Sequence, residues 1–302
     1  MTPSISKGII STSLGDVHYI TTKSPNNDDD QKSTKSKATP CLAFHMSPRS
    51  VDEYADAIPL LSKNNDRIVV AMDELGYGSS SNPKRSCTID EMADAMLDVA
   101  HALQIEKFVV FGSLLGCFTA LSLASRYPEK VCAVVLTNLY HYPPKPPSPP
   151  SADEDEKGVG PVWDLKEDGT HLVDIWNKRS AWLDPKLNTR ATYDEMSYLL
   201  KKQQRCSSTT KIEIQDASAF DFANAAKNTK CPVLCIQGQS CTSFFDSIGF
   251  DMTGQFEKAR QMFGEDKVEV APFIQPGSLN LINQDAEQWA DVVNKYLTSK
   301  GL

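Results

Sequence analysis

Histidine is scarce in this chain of 302 residues: there are five, His18, His45, His101, His141 and His171, and none follows the last of these. A general base of the imidazole kind therefore cannot come from the final loops of the fold. Long apolar runs are missing too, since nowhere do about 18 apolar residues stand together, which excludes a membrane-spanning helix and membrane insertion. Concentrated basic charge is also absent. The net charge is −8, and the longest basic clusters, Lys32 to Lys37 and Lys201 to Arg205, are short and mixed with polar residues. Nucleic acid is not an expected partner of such a surface. Cys231 and Cys235 have no second pair and no nearby histidine, so no zinc site follows, and no metal or cofactor is expected. The start, MTPSISKGIISTSLGDVHYI, lacks the long apolar core of a signal peptide. Cys117, Cys132, Cys231 and Cys235 fall inside apolar patterns, the usage of a reducing compartment. A cytoplasmic protein is expected.

What the chain does have is a 40% hydrophobic content, enough for a sizeable core, arranged in an alternating order. Residues 9–10 and 17–21 flank a turn, STSLGD, and read as an opening β-hairpin. The polar stretch 24–40 reads as a mobile surface loop. Short runs rich in β-branched residues at 40–45, 67–73, 107–112, 131–138, 231–238 and 267–273 read as strands buried on both faces, as in a parallel sheet. Between them, 88–103 carries a helical stripe of Ile89, Met92, Met96, Val99 and Leu103, with Thr88 and Glu91 at capping-box spacing. A second helix is expected over 118–127, and Trp289, Val292, Val293, Tyr296 and Leu297 give a last helix its buried face. The expectation is an α/β fold with a mostly parallel, doubly wound sheet of about eight strands. The alternation breaks once, at the proline run PPKPPSPPSADEDEKG, after which Trp163, Leu172, Ile175, Trp176, Trp182, Tyr193, Met196, Leu199 and Leu200 mark helices. This divides the chain into a first core segment, 1–142, an insertion, 143–230, and a second core segment, 231–302.

Three motifs carry a resemblance to a known family. HMSP at 45–48 is similar to a His-Gly-x-Pro oxyanion loop, MDELGYGSSSNP at 72–83 to an Asp-x-x-Gly-x-Gly segment, and GSLLGC at 112–117 to a nucleophile elbow. Together with the element order, they resemble the α/β-hydrolase fold superfamily, in the capped branch of epoxide hydrolases and haloalkane dehalogenases. The resemblance implies a helical cap inserted after the sixth strand. It also implies a catalytic triad, and here the chain departs from the pattern. Leu114 stands at the nucleophile position, Cys241 at the acid position, with Asn138 at the alternative acid position, and Ser278 at the histidine position. An alkyl side chain has neither a lone pair nor a proton to offer, so Leu114 cannot attack a substrate. Met46 replaces the oxyanion-loop glycine. In lacking the triad the chain resembles the NDR (N-myc downstream-regulated) proteins, and more loosely the hormone receptors that hold a signal in a hydrolase pocket.

The expected site lies at the carboxyl ends of the strands, lined by His45, Met46, Ser47, Leu114, Leu115, Asn138, Cys241 and Ser278. His45 is expected to be a hydrogen-bonded loop residue, Cys117 to pack against the sheet, and His171 to lie on the cap. Three functions are open from sequence: a pseudoenzyme binding a small apolar molecule or a protein partner, a hydrolase or lyase using Ser113, His45, Cys241 or Asp246, or a structural relative with a filled pocket. A register shift of one residue would make Ser113 the nucleophile.

Overall fold

The structure, a computed structural model, describes residues 5–22, 38–47, 49–63, 67–83, 87–140, 166–180, 193, 196–197, 220–247, 249 and 251–302. Its centre is an eight-stranded sheet: β1 (Ser6–Ser11), β2 (Asp16–Thr21), β3 (Cys41–Phe44), β4 (Val69–Met72), β5 (Phe108–Ser113), β6 (Val131–Thr137), β7 (Val233–Ile236) and β8 (Val268–Val270). The order across the sheet is β1-β2-β4-β3-β5-β6-β7-β8. The opening hairpin pairs antiparallel, both within itself and to β4, and every other pairing is parallel.

The four residues of β3, β4 and β7 and all six of β5 are buried, which explains why their sequences are continuous apolar runs rather than alternating ones. Alternate residues of β5 feed two layers. Phe108 and Val110 pack into one apolar core with the helices α2 (Ile89–Ala102), α3 (Gly116–Arg126) and α5 (Phe222–Asn228). Val109 and Phe111 pack into the other, with α1 (Ala57–Ser62) and the last helix, α9 (Ala286–Ser299), whose Trp289 lies at its centre. The α2 capping box forms as expected: Thr88 Oγ1 accepts from the Glu91 N–H at 3.1 Å, and the Thr88 N–H donates to Glu91 Oε2 at 3.0 Å.

Several boundaries differ from the sequence reading. β8 ends at Val270 rather than 273, because Pro272 has no N–H to extend a ladder. The helix after the elbow begins at Gly116, two residues early, since the tight turn feeds it directly. The short helices α1, α6 (Gln239–Ser247), α7 (Gln255–Phe263) and α8 (Leu281–Gln284) were not anticipated. Of the expected loop at 24–40, residues 24–37 lie outside the described residues. So do Trp163, Trp182, Leu199 and Leu200 of the insertion. Its described part includes α4 (Thr170–Ser180), on which Trp176 is half-buried and Val173 exposed.

The strand order reverses direction between β3 and β5. At such a switch point the chain leaves neighbouring strands toward opposite faces, opening a crevice at their carboxyl ends. The residues that leave β3 and β5 there are His45, Met46 and Leu114.

Candidate functional site

Leu114 sits in the turn between β5 and α3 with a φ of +46°, in the left-handed region that a leucine rarely enters. Its N–H donates to Thr137 O at 3.0 Å and its carbonyl accepts from Cys117 N–H at 3.0 Å. Two glycines impose the turn. A Cβ at Gly112 would overlap the backbone of Gly116 and Cys117, and one at Gly116 would overlap the carbonyls of Phe44 and His45. Strand β5 continues through Ser113, so the one-residue slip is not what the chain adopts.

The side chain of Leu114 joins Met46, Cys241 and Leu279 in a small apolar cluster, separate from both cores, with Tyr140 and Phe245 packed against it. Three loops and the start of α6, all at the carboxyl ends of the strands, thus converge on hydrocarbon and sulfur. Burial pushes the Cys241 thiol up to about 12, so it is no thiolate at neutral pH.

Beneath the turn the environment is polar. Ser113 is fully buried and its hydroxyl donates to Glu53 Oε1 at 2.7 Å. The other oxygen, Oε2, accepts from the Met46 N–H at 2.7 Å. Burial raises the Glu53 carboxyl above the ordinary range, against the opposing charge of Arg49 and these two hydrogen bonds. His45 is also committed: Nδ1 donates to Met46 O at 2.9 Å, and Nε2 accepts from the Glu74 N–H at 3.0 Å. Neither ring nitrogen is left to take a substrate proton, as the sequence reading of a loop residue expected. Asp73 accepts from His18 Nδ1, the Val51 N–H and the Ser79 N–H at 2.7, 2.7 and 2.8 Å. Burial alone would raise this carboxyl, yet the His18 hydrogen bond and the two backbone donors hold it below the usual carboxylate range.

The other predicted positions are tied into loops. Asn138 Oδ1 accepts from the Gly238 N–H at 3.0 Å, while Nδ2 donates to the carbonyls of Ser278 and Leu279, both at 3.4 Å. The Ser278 hydroxyl donates to Gln284 Oε1 and accepts from the Asn280 N–H. Ser47 Oγ meets Tyr77 OH at 2.9 Å. Leu115 packs in the larger core with α2 and α3, away from the cluster. Cys117 is buried against the sheet, its thiol reaching Thr137 O at 3.6 Å. Asp246 caps a loop, accepting from the N–H groups of Met252 and Thr253 at 2.6 and 3.2 Å. On α4, His171 Nδ1 accepts from the Lys166 N–H at 3.1 Å. Sequence reasoning missed Glu53, Leu279, Tyr140 and Phe245. Only Leu279 carried a signal, being the apolar neighbour of Ser278.

A cavity of about 520 Å³ lies at the opposite, amino-terminal ends of β5 and β6, lined by His101, Gln104, Ile105, Glu106, Lys107, Glu129 and Lys130. Among the described residues no cluster of His, Cys, Asp or Glu is arranged to hold a metal, and no helix is long and apolar enough to cross a membrane.

This sheet order, with a strained turn at the carboxyl end of β5, is that of the α/β-hydrolase fold, and the chain is an α/β-hydrolase-fold protein. The alpha/beta hydrolase fold family matches residues 42–170. More particularly, the chain is 29% identical over 132 residues to the rat 1-acylglycerol-3-phosphate O-acyltransferase ABHD5, a match covering 42% of this chain and 36% of that one. It is 36% identical over 101 residues to the 2-hydroxymuconate semialdehyde hydrolase of Pseudomonas sp. (strain CF600), covering 32% and 35%. The chain thus spans about a third of the length of these curated relatives. Among solved structures, a thermophilic esterase from Thermogutta terrifontis superposes with a TM-score of 0.70 at 15% identity, covering 98% of this chain and 100% of the other. The epoxide hydrolase CorEH does so at 0.67 and 15%, covering 98% and 99%.

Proposed function

We propose that this chain is a catalytically inactive member of the fold that uses the elbow end of its sheet to bind a small apolar molecule. The observation that carries this reading is the side chain at the strained turn: Leu114, at the apex where a nucleophile would stand, packs with Met46, Cys241 and Leu279. With Cys241 and Ser278 taken as the acid and base positions, neither position carries a carboxylate or an imidazole. Where such residues act as a unit, losing the nucleophile or the base alone costs on the order of 10⁶ in turnover. Under this reading the insertion 143–230 supplies a cap between the core segments 1–142 and 231–302, apart from its last helix, α5, which packs in the core with α2 and α3. The rat relative is named for an acyl-bearing substrate, and an aliphatic chain is what such a cluster would accommodate by contact alone.

The test is a panel of activated esters and epoxides together with a fluorophosphonate probe. No turnover and no labelling are expected. Turnover that a single change at Ser113, His45 or Cys241 abolishes would instead establish the hydrolase reading, and a probe adduct on Ser113 would do the same.

A further inference from the structure

Met46 stands where the resembling oxyanion loops carry glycine, and both its backbone N–H and its carbonyl are hydrogen-bonded. Its N–H is bound by Glu53 Oε2 at 2.7 Å, and its carbonyl accepts from both His45 Nδ1 at 2.9 Å and the Arg49 N–H at 2.8 Å. Its side chain is buried and belongs to the cluster with Leu114, Cys241 and Leu279. A fixed backbone thus carries an unbranched side chain with three rotatable bonds, the side chain best able to yield to a neighbour of variable shape.

We propose that Met46 is the size-determining residue of the elbow site, a stopper whose thioether occupies the space that the far end of a bound neutral, unbranched aliphatic chain would otherwise take. This rests on the binding role proposed above and adds the ligand's class and the residue that limits its length. A neutral ligand follows from the surroundings, because Leu114, Met46, Cys241 and Leu279 present hydrocarbon and sulfur with no charged side chain among them. The three heavy atoms beyond the Met46 Cβ correspond to about three methylenes of ligand.

The experiment measures binding of primary n-alkanols, from butanol to dodecanol, to the full chain by calorimetry, for the wild type, Met46→Ala and Met46→Leu. The wild type is expected to reach its tightest binding at a short or middle member. In M46A that optimum moves about three carbons longer, and the longer members gain about tenfold or more in affinity. M46L, which keeps most of the volume and guards against failure of the alanine variant to fold, moves it by about one carbon. Unchanged chain-length profiles in both variants overturn the stopper while leaving the binding role standing. Binding by M46A with none by the wild type overturns both, because the site would then be a cavity that the substitution made. No binding by any of the three proteins overturns both.

Discussion

The two sides of the turn after β5 have opposite chemistry. Below it, Ser113, Glu53, His45 and Asp73 are buried polar groups joined to backbone donors and to one another by bonds of 2.7 to 3.0 Å. Above it, Leu114, Met46, Cys241 and Leu279 are buried and offer no ionised group. The polar side supports the backbone shape of the α/β-hydrolase fold, whereas the apolar side is where that fold would present reagents. Shape and reactivity are therefore separable here. Hydrogen bonds to backbone can hold a loop in place whatever side chain the apex carries.

Changes at three positions test this division, in descending order of effect. Replacing Asp73 with alanine leaves the Val51 and Ser79 N–H groups and His18 without their acceptor, and is expected to lower the free energy of unfolding by about 3–5 kcal/mol in urea denaturation. Because the folded Asp73 carboxyl lies below its ordinary 3.8, its contribution is present above about pH 4 and is lost as the pH falls through the folded value. The gap between wild type and D73A should accordingly narrow in acid. A loss below 1 kcal/mol would remove the polar side as the support of the loops.

On the apolar side, Leu114→Ala should cost about 2–5 kcal/mol, reduced to the extent that the cluster collapses into the space. Leu114→Gly, which removes one carbon more, should be the more stable of the two by about 1 kcal/mol, because glycine occupies a φ of +46° without strain. Alanine equal to or better than glycine would mean that the turn is relaxed.

The smallest effect sharpens the polar side from within. Glu53 titrates above its ordinary 4.5 in the fold, so its protonation favours the native state: this stability is present below about 4.5 and is lost as the pH rises through the folded value. Glu53→Gln keeps an acceptor for the Met46 N–H and removes the titration. Between about pH 8 and pH 5 the wild type should gain stability relative to E53Q in paired urea denaturation curves; identical pH profiles would mean that Glu53 carries no such strain.

The alternation of apolar runs and amphipathic stripes was sufficient to place the strands of the sheet's centre, because β3, β4, β5 and β7, buried on both faces, leave a continuous apolar signature, whereas the opening hairpin was read from its turn. The short helices escaped it. Leu281–Gln284 and Ala57–Ser62 are too short to show a period, and their positions depend on contacts with distant elements. At the site, Leu114 was legible because Gly112 and Gly116 bracket a turn of known length. Glu53 was not: a carboxylate in an ordinary acidic stretch, DEYAD, gives no sign in sequence that it will face Ser113 from sixty residues away. Leu115 was placed in the pocket because it adjoins Leu114, but a helix start turns successive side chains by about 100°, which directs it into the core instead.

At Gly116 the first turn of α3 lies directly on the carbonyls of Phe44 and His45, with no side chain between them. Side chains cushion most contacts between elements by changing rotamer, and here that compliance is absent. The segment before Met46 and the start of α3 therefore have no room for a Cβ between them, and the far end of the same helix is held by Arg126, which donates to the Asp90 carbonyl and to Asp94 Oδ2 of α2.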